Sequence, residues 1–163
     1  MDNISNLKEK VLIVIPIINN YKICKDSFYN KNNLDNRKSE TISLIRSLDV
    51  NVLDILTIKI NKFSSAYLFN KNSLDRILKL IQKLKINLLI IDFQLSPIQQ
   101  RNLELFFKVK AIDRTQVILE IFSSRAISKE GKIQVELAAL NFQKTRLVRS
   151  WTHLERQKGG SGF

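Results

Sequence analysis

At 163 residues, with 44% hydrophobic and 26% charged residues, the chain is long enough for one domain with its own core and too apolar for a disordered tail. A formal charge of +12 points to a polyanionic partner, nucleic acid ahead of an acidic membrane surface. The single cysteine, Cys24, and the single histidine, His153, exclude an internal disulfide, a cysteine zinc site and a multi-histidine metal centre. These counts suit a reducing, cytoplasmic location.

The first element is a β-branched run, Val11 to Ile15, whose unbroken apolar character predicts a strand covered on both faces, as in a parallel sheet. The longer apolar stretch Val11 to Ile18 is too short to span a bilayer, contains Pro16 and lacks a small-residue cleavage pattern after it, so it reads as a buried strand and not as a membrane helix or a signal peptide. The polar stretch Asn19 to Lys38 reads as a loop, and Cys24 within it has no activating neighbour. Ile42, Leu44, Ile45 and Leu48 then fall at helical spacing behind Ser39 as a cap. Val52 to Ile60 returns to strand character, and Ala66 to Phe69 offers a short further strand.

Ser73 to Leu84 is an amphipathic helix with Leu74, Ile77, Leu78, Ile81 and Leu84 on one face. Leu88 to Asp92 is the next buried strand. In LSPIQQRNLELFF, Ser96 caps, Pro97 takes the first helical position and Gln99 completes a capping box. Val109 to Ile112 gives another strand, and Asp113 caps a helix running through Ser123. Strand and helix alternate, so the expected fold is α/β, with a mostly parallel sheet flanked by helices. The strand ends Ile91-Asp92 and Ile112-Asp113 would open onto the edge where such folds bind ligands.

From Ala126 the pattern becomes a single long helix. Ile133, Leu137, Leu140, Leu147, Trp151 and Leu154 form a heptad stripe, with Lys144 at the one polar position, so this helix is half of a coiled coil. Between Arg125 and Lys158 eight basic residues face three acids, and six of the chain's nine arginines lie in its last 63 residues. Because lysine-rich composition also follows from AT-biased coding, the arginines locate the basic partner surface better than the lysines do. The expected organisation is an α/β domain over 1–124, a long basic helix over 125–158 and the start of a glycine-rich loop over 159–163.

Several chemistries lack their residues. Gly131-Lys132 has neither the earlier glycine nor the following hydroxyl of a phosphate-binding loop. His153, beside Trp151 on a basic helix, reads as a surface or RNA-contacting residue more readily than as a catalytic base. Asp92 and Asp113 could together hold a metal or activate water. The simpler reading is that Asp113 caps a helix and Asp92 satisfies backbone amides. Trp151 reads as packing on a partner helix before stacking on a base, and Arg149 and Arg156 lie off the stripe, facing solvent or phosphate.

The segments DFQLSPIQQRNLE (Asp92 to Glu104), IDRTQVILEIFSSRA (Ile112 to Ala126), EGKIQVELAAL (Glu130 to Leu140) and RLVRSWTHLERQKGGSGF (Arg146 to Phe163) resemble consecutive signatures of the HflX family of ribosome-associated GTPases. The resemblance implies the family's amino-terminal α/β domain followed by the outgoing helix of a two-helix hairpin. It also implies that Arg149, Trp151, His153, Arg156, Gln157, Lys158, Gly159, Gly160 and Gly162 belong to the helix end and loop that approach RNA of the large ribosomal subunit. Because the sequence stops inside the glycine-rich turn, the expectation is that the GTPase domain is not on this chain. No catalytic or metal-binding residues, no cofactor and no GTP-dependent activity are then expected of it, since GTP and magnesium would belong to the domain that follows in the family. The unpaired heptad face would seek a separately encoded remainder or a second copy. Two alternatives stand beside this reading: an α/β domain that binds or hydrolyses ATP through Asp92 and Asp113, and a non-functional or trans-pairing fragment of a split gene.

Overall fold

The computed structural model describes residues 8–18, 29 and 33–158, with side chains described as far as Arg146. Nine elements follow in order: β1 (Lys10–Ile17), α1 (Leu34–Arg46), β2 (Asn51–Lys59), α2 (Lys71–Leu84), β3 (Leu88–Ile91), α3 (Pro97–Phe107), β4 (Lys110–Asp113), α4 (Arg114–Arg125) and α5 (Lys129–Lys158). The four strands form one parallel sheet in the order β2-β1-β3-β4. The fold is α/β, as the alternation of elements predicts, and it ends in a single long helix.

The period of two along each strand builds two cores. Leu12 and Val14 of β1 join Leu89 and Ile91 of β3 on one face, under Leu74, Ile77 and Ile81 of α2 and Leu103 and Phe107 of α3. Val11, Ile13 and Ile15 join Leu88, Ile90 and Ile112 on the other, under Ile45 of α1 and Val117 and Ile121 of α4. β1 and β3 are buried on both faces, which is why they read as continuous apolar runs.

Pro16 lies inside β1, a central strand, where proline normally breaks a ladder. The register explains it. β1 pairs with β3 only from Val11↔Leu88 to Val14↔Ile91, so Pro16 lies past the end of β3 and its missing N–H costs no ladder bond. On the other side β1 stays paired with β2 to its last residue.

Two expected elements differ. The first helix starts at Leu34, not behind Ser39, and extends through residues assigned to the loop. Its buried stripe is Arg37, Thr41 and Ile45, two polar residues and one apolar, which hydrophobic periodicity alone does not register. Residues 19–28 and 30–32 of that loop, with Cys24, lie outside the described residues. At Ala66 to Phe69 there is no strand but a tight turn closed by a single bridge between Ser64 and Leu68, with Leu68 fully buried at φ 67°.

The entry to α3 is the capping box that its sequence spells: Ser96 Oγ accepts from Gln99 N at 3.2 Å, and Gln99 Oε1 accepts from Ser96 N at 3.0 Å. Ser96→Ala should therefore cost about 1 kcal/mol, read as a lowered urea midpoint with an unchanged slope. Among the described residues no helix is long and apolar enough to cross a membrane.

Candidate functional site

At the carboxyl edge of the sheet, ligands of open α/β folds usually enter between the strands where the winding reverses, here β1 and β3. In this chain an arginine from α1 occupies that crevice. Arg37 is 0% exposed, with Nη1 donating to Pro16 O at 2.7 Å and Nη2 donating to Asp92 Oδ2 at 2.7 Å and Asp92 O at 3.1 Å. The guanidinium thus caps the stretch of β1 that outruns β3, taking up a carbonyl that no strand can reach. Its outer face lies over the Tyr29 ring, 4.8 Å from the centroid.

Asp92 is held from a second side by Arg114, at the start of α4, whose Nη1 donates to Oδ1 at 2.7 Å. Arg114 also pairs with Glu40 of α1. Burial pulls the Arg114 guanidinium down, but the hydrogen bond and charge of Asp92 and the nearby Glu40 outweigh it and leave it above its ordinary value. The expectation that Asp92 serves backbone amides is therefore corrected: its carboxylate is 1% exposed and saturated by two arginines from different helices. No metal-ligand cluster of His, Cys, Asp or Glu occurs among the described residues.

Asp113, the neighbour of Ile91 in the β3–β4 register, does cap α4: its Oδ1 accepts from Gln116 N at 2.9 Å. It does more than that. Its Oδ2 accepts from Leu95 N at 3.2 Å and from Arg146 Nη2 at 2.7 Å. Arg146 stands midway along α5, reaches the Leu95 carbonyl and Gln100 of α3, and rests over the Phe142 ring at 4.1 Å. Between α4 and the first half of α5 lies a groove of about 600 Å³, lined in part by Leu119, Val135, Ala139 and Phe142. The long helix is thus fastened to the sheet edge at Arg146, a residue that appeared in the sequence only as one more positive charge.

Past that anchor α5 continues for twelve residues to Lys158, roughly 18 Å at the rise of an α-helix. Arg149, Trp151, His153, Arg156, Gln157 and Lys158 lie on this stretch of helical backbone, but their side chains fall outside the described residues. Gly159, Gly160 and Gly162 lie outside them altogether. Of the predicted heptad stripe, Ile133, Leu137 and Leu140 are 64%, 57% and 55% exposed, an apolar row turned largely to solvent.

Comparison with known proteins decides the family. Residues 35–123, more than half of the chain, match the family described as GTP-binding GTPase N-terminal, and residues 125–163 match GTP-binding GTPase Middle Region. The chain is 44% identical over 122 residues to the GTPase HflX of Magnetococcus marinus and 43% identical over 121 residues to the GTPase HflX of Escherichia coli. The chain belongs to the HflX family. The matches cover 75% and 74% of this chain and 28% of either HflX relative, so it spans well under a third of their length. A GTP-binding protein from the hyperthermophilic archaeon Sulfolobus solfataricus, solved in complex with GDP, has the same fold, with a TM-score of 0.62 at 22% identity over 92% of this chain and 42% of that one. The boundary between the two HflX family regions, at residue 124, falls at the last turn of α4, just before the chain turns into α5.

Proposed function

We propose that the chain is a binding module for the RNA of the large ribosomal subunit, the amino-terminal part of an HflX-like ribosome-splitting GTPase. The observation that carries the reading is α5: a basic helix fastened to the domain at Arg146 and running on for twelve residues. Family membership supports the same reading, and so does the net charge of +12, which favours a polyanion. In this reading Arg149, Arg156 and Lys158 neutralise phosphates, and Trp151, His153 and Gln157 lie along RNA. Gly159, Gly160 and Gly162 let the backbone come close to it, since a residue without a Cβ can adopt turns that others resist. The working location is the cytoplasm.

The same proposal places no GTPase chemistry on residues 1–163, where Gly131-Lys132 lacks the earlier glycine and the following hydroxyl of a phosphate-binding loop. A nucleotide in the usual crevice would also have to displace Arg37 from Pro16 and Asp92. That weighs against ATP chemistry through Asp92 and Asp113.

Co-sedimentation with purified ribosomal subunits at low and moderate salt tests the proposal. Saturable binding to large but not small subunits, weakening steeply as salt rises, is the expected result. Arg149→Glu with Arg156→Glu should abolish it; equal affinity in that double variant would remove the helix end from the interface. No binding at either salt would overturn the module reading and leave a fragment that depends on a partner.

A further inference from the structure

The outer face of α2 carries a second concentration of charge that neither the fold nor α5 accounts for. Lys71, Arg76, Lys79 and Lys83 of the helix and its cap residue Lys85 oppose a single acid, Asp75, and all six are exposed. Among the described residues none of the five cations is ion-paired.

Part of their placement runs against the local electrostatics of a helix, although Lys83 in the last turn and Lys85 at the C-cap suit the dipole. Lys71 stands in the first turn, where the macrodipole disfavours a cation, and that turn has no acid to offset it. Arg76, Lys79 and Lys83 follow at spacings of three and four, so like charges are neighbours along one row, offset only by Asp75, which stands four residues from both Lys71 and Lys79. The row spans roughly 10 Å. α2 holds its place by the opposite face, through Leu74, Ile77 and Ile81. The helix thus owes its place to its apolar face, and the fold makes no use of the outer row of cations. Places where a sequence breaks a local rule without gain to the fold are where function is expected.

We infer that α2 is a second RNA-backbone contact, with Arg76, Lys79 and Lys83 as its core, separate from the α5 end. The inference takes its class of partner from the ribosomal reading above but does not depend on α5. A phosphate backbone fits the row because it presents regularly spaced negative charge without requiring a base-specific donor pattern, and the row offers only cations.

The test uses the whole chain and a labelled oligouridylate, with large subunits in parallel. Arg76→Gln, Lys79→Gln and Lys83→Gln together should lower the salt dependence of binding by about 2 in log–log slope, at about 0.7 for each phosphate of single-stranded RNA that is no longer neutralised. A triple variant with the same charge change elsewhere, Arg46→Gln, Lys108→Gln and Lys110→Gln, should leave the slope within about 0.5 of the parent. The α2 variant should melt close to the parent without RNA, because the three side chains are exposed and make no ion pair among the described residues. An unchanged slope in the α2 variant, or an equal fall in both triple variants, overturns the inference. A loss seen only with anionic vesicles and not with RNA also overturns it and assigns the face to a membrane surface. Because Arg149→Glu with Arg156→Glu probes a different helix, failure of the α2 contact and failure of the ribosomal reading give different patterns.

Discussion

Arg37→Ala should be among the most damaging single changes in the chain, lowering stability by roughly 3–5 kcal/mol, the range for stripping one partner from a buried ion pair. The loss has three parts. Asp92, 1% exposed, keeps only Arg114 as a cation, the Pro16 carbonyl loses its donor, and the space between β1 and β3 is left unfilled. For a chain of this length each kcal/mol is worth about 2–4 °C in Tm, so the effect is large in a thermal melt. Arg37→Lys should recover less than half of the loss, because one ammonium cannot reach two strands in the forked geometry that a guanidinium provides. Equilibrium denaturation of the two variants decides the matter: a loss below about 1 kcal/mol for Arg37→Ala would mean that the buried pair is energetically idle, as some are.

The second large effect is expected at Asp113. Asp113→Ala removes the α4 cap, the acceptor for Leu95 N and the partner of Arg146 in one step, and should cost roughly 3 kcal/mol. Asp113→Asn separates these roles. Asparagine caps a helix as well as aspartate does, so α4 should keep its start while the charge that holds Arg146 is gone. The expected loss is then about 1.5 kcal/mol, in the range for a hydrogen bond to a charged group. Hydrogen exchange gives the sharper readout: amides of Lys129 to Arg146 should exchange faster in both variants, while the first turn of α4 should loosen only in Asp113→Ala. Parent-like protection of α5 in both would show that its packing along α4, and not the ion pair, holds the long helix down.

How much of this was legible in the sequence follows from where each signal resides. The capping box at Ser96 and the cap at Asp113 are local: the residues that make the bonds are three apart, so the sequence states them outright. The parallel sheet is legible because strands buried on both faces have no polar alternation. Arg37 was not legible, since it sits among asparagines and charges and its partners are 21 and 55 residues away. The one available hint was that Arg37, Thr41 and Ile45 recur every four residues, a helical stripe with polar members. Asp92 was placed correctly at a strand end and given the wrong partners, because nothing local indicates that two helices will each send an arginine to it. Arg146 was visible only as charge, while the helical spacing of Ile133, Leu137 and Leu140 marks a stripe that is exposed in the fold.

The position of Arg146 along α5 has a mechanical corollary. The helix turns out of α4 near Lys129, is clasped 17 residues later and ends 29 residues later at Lys158. With the turn as fulcrum, a shift of 1 Å at the clasp becomes roughly 1.7 Å at the tip, since distance along a helix scales with residue number. The chain is a lever clasped part-way along its arm by Asp113, Gln100 and the Leu95 carbonyl, so a force on the far end bears on the point where β4 passes into α4.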